Sequence, residues 1–105
     1  MAYQIFNGEI STGIILEDDY MSIFSGGVAN STTVNSGGDM NISSGGVANS
    51  TTLNSSGYMD IYAGGVANST TVNSGGSMRI SSGGTATAIT AQSGARLSIT
   101  VASDT

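Results

Sequence analysis

Glu17, Asp18 and Asp19 form the densest group of carboxylates in the chain. Hard oxygen ligands of this kind suit Ca²⁺. Three consecutive acids rarely converge on one ion, however, and the spacing matches neither the EF-hand loop nor the Gly/Asp-rich nonapeptide of β-rolls. An acidic, solvated turn is expected there. The chain contains no His and no Cys. The commonest general base, the commonest transition-metal ligand, thiolate sites and disulfides are therefore excluded. No Gly-x-Gly-x-x-Gly opens a helix, so the glycines do not form a phosphate loop. A poised nucleophile with its acid or base is missing. The chain is expected to be non-enzymatic and to use no cofactor or metal.

The remaining polar groups can make ladders or contacts. Asn30-Ser31-Thr32, Asn49-Ser50-Thr51 and Asn68-Ser69-Thr70 match the N-glycosylation acceptor pattern. No basic region followed by an apolar run precedes them, so that match carries little weight.

These triplets recur because the chain itself recurs. Gly-Gly stands at 26–27, 45–46, 64–65 and 83–84, each 19 residues after the last. A period of this length specifies a solenoid, whose units bury their apolar faces only against their neighbours. Coils are expected at 7–25, 26–44, 45–63, 64–82 and 83–101 of one domain spanning 1–105, after a first strand at 1–6 and before a tail at 102–105. Met21, Met40, Met59, Met78 and Leu97 share one column, and Ile23, Ile42, Ile61, Ile80 and Ile99 stand two places on. Spacing by two puts both side chains on one strand face. Three further inward columns are expected: Ile15, Val34, Leu53, Val72 and Ala91; Gly13, Thr32, Thr51, Thr70 and Ile89; and Ile10, Ala29, Ala48, Ala67 and Ala86. Residues 3–6 match 21–24 at an offset of 18. One residue is therefore missing from the first coil, and it is placed within Glu9 to Ile14.

Apolar residues at i and i+2, with Gly-rich breaks about every nine residues, predict strands rather than helices. The fold class is all-β: a single parallel β-solenoid of about five coils, each with two strands and a minor third. A rung spacing of roughly 4.8 Å gives a rod of about 24–29 Å. Parallel crossovers are overwhelmingly right-handed, so a right-handed coil is expected.

The coils differ from one another on one outward face. Tyr20, Asp39, Tyr58, Ser77 and Arg96 form one column; Ser22, Asn41, Asp60, Arg79 and Ser98 the next; Phe24, Ser43, Tyr62, Ser81 and Thr100 a third. Aromatic residues favour strands wherever they fall. Yet Tyr and Arg are also the residues of interface hot spots. Tyr20, Phe24, Asp39, Tyr58, Asp60, Tyr62, Arg79 and Arg96 are the candidate partner-binding face. The other outward columns are uniform: Ser31, Ser50 and Ser69; Thr33, Thr52 and Thr71; Asn35, Asn54 and Asn73. Amide and hydroxyl ladders of this kind stabilise stacked coils.

The net charge of −5 gives no basic footprint for nucleic acid, so direct nucleic-acid binding is not expected. Glu9, Glu17, Asp18, Asp19, Asp39 and Asp60 all precede Arg79 and Arg96, which leaves an acidic N-terminal end suited to solubility or to a basic partner. No stretch of 18 apolar residues is present, so no membrane insertion is expected. Exposed rung edges are adhesive. The expected partner is a protein or a second copy of the chain, as a homo-oligomer.

The segment Gly-Gly-Val-Ala-Asn-Ser-Thr-Thr-Val-Asn-Ser-Gly-Gly at 26–38 resembles the 19-residue repeat of AIDA-type autotransporter adhesins, and the likeness extends over about residues 14–101. The resemblance implies a right-handed β-helical stalk outside a bacterial cell, and glycosylation of Ser or Thr by a dedicated heptosyltransferase. By repeat position it makes Ser31, Ser50 and Ser69 the candidate glycan acceptors. An adhesin fragment would lie at the cell surface. A complete chain starting at Met1 would be cytoplasmic, and the alternative function is then a small, phage-encoded inhibitor that blocks a host protein such as a defence nuclease.

Overall fold

The computed structural model describes residues 2–5 and 8–99, with the backbone alone at residues 2, 3 and 99. The expected tail at 102–105, Thr100 and the opening residue Asn7 lie outside these residues, as does the inward side chain expected at Ile99. The first strands are β1 (Ala2–Ile5), β2 (Ile10–Thr12), β3 (Ile15–Leu16), β4 (Tyr20–Ile23), β5 (Val28–Asn30), β6 (Thr33–Val34), β7 (Asp39–Ile42) and β8 (Val47–Asn49). They are followed by β9 (Thr52–Leu53), β10 (Tyr58–Ile61), β11 (Val66–Asn68), β12 (Thr71–Val72), β13 (Ser77–Ile80), β14 (Thr85–Thr87), β15 (Thr90–Ala91) and β16 (Arg96–Ile99). The described residues contain no helix. Each coil has three strands, one of them only two residues long.

Three parallel sheets run the length of the coil stack, in the orders β1-β4-β7-β10-β13-β16, β14-β11-β8-β5-β2 and β15-β12-β9-β6-β3. Register follows the repeat: Met40 pairs with Met59, Ala48 with Ala67, and Val34 with Leu53. Through the central coils Met thus meets Met, Ile meets Ile and Ala meets Ala one rung away, and the pairing cannot slip by one residue without turning the core outward. Met21, Met40, Met59 and Met78 are buried, as are Ile5, Ile23, Ile42, Ile61 and Ile80, with the Ala29 and Val34 columns beside them. Leu97 and Ala91 of the last coil are exposed instead, Leu97 by 41%. They point inward from a rung that no further described rung covers.

Glycine marks the corners where coils touch most closely. A Cβ on Gly46 would stand 2.7 Å from the Ile23 carbonyl oxygen of the preceding coil. Only a residue without a side chain fits such an approach.

The first coil departs from the expected register. Ile10 pairs with Val28, Ile15 with Thr33, and Leu16 with Val34, all at an offset of 18, whereas Tyr20 pairs with Asp39 at 19. The missing residue therefore lies in the corner Glu17–Asp19 and not in Glu9 to Ile14. Ile10 and Ile15 consequently face outward, 68% and 56% exposed, while Leu16 is buried and Ile14 packs against the core. Gly13 takes the bend with φ 74°, where later coils have Ser31, Ser50 and Ser69. The inward column is thus Ile14, Thr32, Thr51, Thr70 and Ile89.

Candidate functional site

The first sheet presents its outward residues as three columns with alternating burial, because a four-residue strand turns every second side chain away from the core. Tyr20, Tyr58 and Tyr62 are each about half exposed, at 50%, 54% and 46%. Phe24 is half-buried, and Arg79 and Arg96 are exposed. Of the eight expected face residues, Phe24 alone among the aromatics does not stand clear of the surface.

Around β10 and β13 the face dips into a shallow groove of about 430 Å³, lined by Asp39, Tyr58, Asp60, Ser77, Arg79 and Arg96 among others. Register sets Asp39 between Tyr20 and Tyr58, and Asp60 beside Arg79. Asp39 Oδ1 is enclosed and has no hydrogen-bond partner. Burial, reinforced by the negative charge of Asp60, pushes the Asp39 carboxyl above the usual carboxylate range. The groove thus pairs an acidic half with a basic half, and it holds one carboxylate oxygen that lacks a donor.

The uniform columns form ladders. Asn54 Nδ2 donates to Asn35 Oδ1 at 2.7 Å, and Asn73 Nδ2 donates to Asn54 Oδ1 at 2.8 Å. A second ladder runs through Asn30, Asn49 and Asn68, with both bonds at 2.9 Å. Sequence reasoning missed this second ladder, although the same period marked it, because those asparagines also open the Asn-x-Ser/Thr triplets. Ser31, Ser50 and Ser69 lie beside it, exposed, with φ of 53°, 55° and 55°. The left-handed backbone throws each of them outward at a sharp bend.

The acidic cluster does not converge. Glu17 Oε1 accepts from Asn35 Nδ2 at 3.3 Å and so continues the Asn ladder downward. Asp18 occupies a turn with φ 54°. Among the described residues no group of three His, Cys, Asp or Glu is arranged to hold a metal ion. No described helix is long and apolar enough to cross a membrane.

No curated protein sequence matches the chain. The family model "Adhesin of bacterial autotransporter system, probable stalk" (AIDA) matches residues 44–95. Among solved structures, the crystal structure of a TibC-catalyzed hyper-glycosylated TibA fragment superposes with a TM-score of 0.89 at 37% identity, over 91% of this chain. The chain spans 35% of that fragment's length. The coils within residues 44–95 match the AIDA stalk model, and the solenoid is similar to that of the TibA fragment.

Proposed function

We propose that the chain is a non-enzymatic structural module of the adhesin-stalk kind, which acts through protein contact on its Tyr/Asp/Arg face. One observation carries this reading. Over the three central coils the Met, Ile, Ala and Thr columns and both Asn ladders are invariant, whereas aromatic and charged residues vary on the outward side of a single sheet. A purely structural rod gains nothing from confining its variation to one face. Large amphipathic rings with few rotors supply contact area at low entropic cost.

The test is the double substitution Tyr58→Ser and Tyr62→Ser. Both rings are half exposed, so the β-rich circular dichroism should not change. Association with a captured partner or with itself should weaken at least tenfold. Unaltered association would reject this face.

Exposed Ser31, Ser50 and Ser69 are the proposed glycan acceptors on the same module, by analogy with the hyper-glycosylated TibA fragment. Co-expression with TibC should add sugar mass, and Ser→Ala at all three positions should remove it.

A further inference from the structure

The outward residues of β10, β13 and β16 form a grid of two columns by three rungs. Tyr58, Ser77 and Arg96 make the first column, and Asp60, Arg79 and Ser98 the second. Rungs of ~4.8 Å and a two-residue step of ~6.6 Å give the grid a footprint of about 10 Å by 7 Å. These residues line the groove, with Asp39 at its edge beyond Tyr58. Asp39 Oδ1 is enclosed within the chain and takes no part.

The chain has two cationic side chains against seven acidic ones. Both cations stand in this grid, exposed, on adjacent rungs and one step apart along the strand. That places their Cα atoms roughly 8 Å apart. Among the described residues neither guanidinium has an ion-pair or hydrogen-bond partner, although Asp60 is one rung from Arg79. Two long, free guanidiniums a diagonal apart can close on one carboxylate, each bringing a fork of N–H donors.

The rest of the grid limits what carries that carboxylate. The half-exposed Tyr58 ring offers a negative π-face to the C–H side of a sugar ring. An ionised Asp60 only accepts, so it suits a hydroxyl donor and repels a second anionic group. Ser77 and Ser98 can donate or accept. The net charge of −5 also acts against a polyanion. One carboxylate, several hydroxyls and an apolar ring face together describe a single acidic sugar unit. The groove volume of about 430 Å³ lies in the lower part of the range for small-ligand sites.

We propose that this groove binds an acidic sugar, with its carboxylate on Arg79 and Arg96, its ring on Tyr58 and a hydroxyl donating to Asp60. The inference gives a ligand class to the face already read as a contact surface, and it rests on that reading. The groove is shallow and the guanidiniums are exposed, so binding should be weak and should weaken further as salt rises.

The experiment is NMR titration of the full, isotope-labelled chain. The probes are sialyllactose and glucuronic acid, each with one carboxylate, and their neutral counterparts lactose and glucose. An acidic probe should shift amides of β10, β13 and β16 saturably, at least tenfold more tightly than its neutral counterpart. Arg79→Gln, Arg96→Gln and Tyr58→Ser should each weaken it at least tenfold with unchanged circular dichroism. Tyr58→Phe keeps the ring and should stay within about twofold of the wild type. Shifts from neither acidic probe, or equal shifts from the neutral ones, overturn the proposal. Acetate or a short glutamate-rich peptide binding as tightly as the sugars also overturns it, since the site then reads only charge. A chain that ignores every sugar, yet loses its protein contact in the Tyr58/Tyr62 double variant, overturns the sugar site alone. Sugar binding with protein association unaltered in that variant supports the sugar site and rejects the protein contact.

Discussion

Asn54 sits between Asn35 and Asn73, donating to the first at 2.7 Å and accepting from the second at 2.8 Å. Its amide is therefore fixed on both sides by identical residues one rung away, and the column ends on the Glu17 carboxylate. Net contributions of about 0.5–1.5 kcal/mol per hydrogen bond are typical, and half-buried amides left without partners cost more. Asn54→Ala breaks two bonds and should destabilise the fold by about 1–3 kcal/mol. Urea unfolding followed by circular dichroism measures this. A change within ~0.5 kcal/mol, the usual range for inert surface sites, would show that the ladder only decorates the coil.

Thr32 and Thr70 bury their hydroxyls without a hydrogen-bond partner. Thr51, between them, reaches only the Met40 sulfur at 4.0 Å, and thioethers are weak acceptors. The same column carries Ile14 and Ile89 at its two ends, so the site accommodates a branched aliphatic group. Thr32→Val and Thr70→Val replace an unsatisfied polar atom with a methyl of similar size. Each should stabilise the protein, by about 1–3 kcal/mol if the hydroxyl is as dry as its burial indicates. A loss of stability in both variants would mean that the hydroxyls find partners in solution.

Asp39 supplies a pH signature. Its folded pKa is raised, chiefly by burial and then by the charge of Asp60. Between the unfolded and folded values the folded chain holds the proton more tightly, so stability falls as pH rises through that window. Below the window both states are protonated, and above it the whole penalty is present. Asp39→Asn should raise Tm at pH 7 and change it less at pH 4. Equal shifts at both pH values would assign the effect to packing rather than to charge.

The interior was legible wherever the period was unbroken. Met40, Met59, Ile42 and Ile61 could be placed because 19-residue spacing and i, i+2 alternation agree, and no competing register buries them. The first coil was legible only in part. Ile14 and Ile15 are adjacent, equally apolar and equally suited to a strand, so alternation alone allows either to face inward. The choice is fixed at the short corner Glu17–Asp19, where three residues take the place of four. Polarity concealed that deletion, since acids and glycines both suit turns. The candidate face was legible as a set of columns. The enclosure of Asp39 and the position of the groove were not, because they depend on side-chain conformations that alternation and period do not set.

From β5 to β12 each strand of the second and third sheets pairs only with the strand one rung away, Val-Ala-Asn meeting Val-Ala-Asn and Thr meeting Thr at each step. Removing or inserting one whole 19-residue unit there leaves the inward junctions nearly unchanged, since Met meets Met, Ile meets Ile and Ala meets Ala across the new joint. Unequal recombination between such near-identical stretches of coding sequence can therefore lengthen or shorten the molecule in single strides. Reach thus becomes a heritable quantity that varies without any new packing problem to solve.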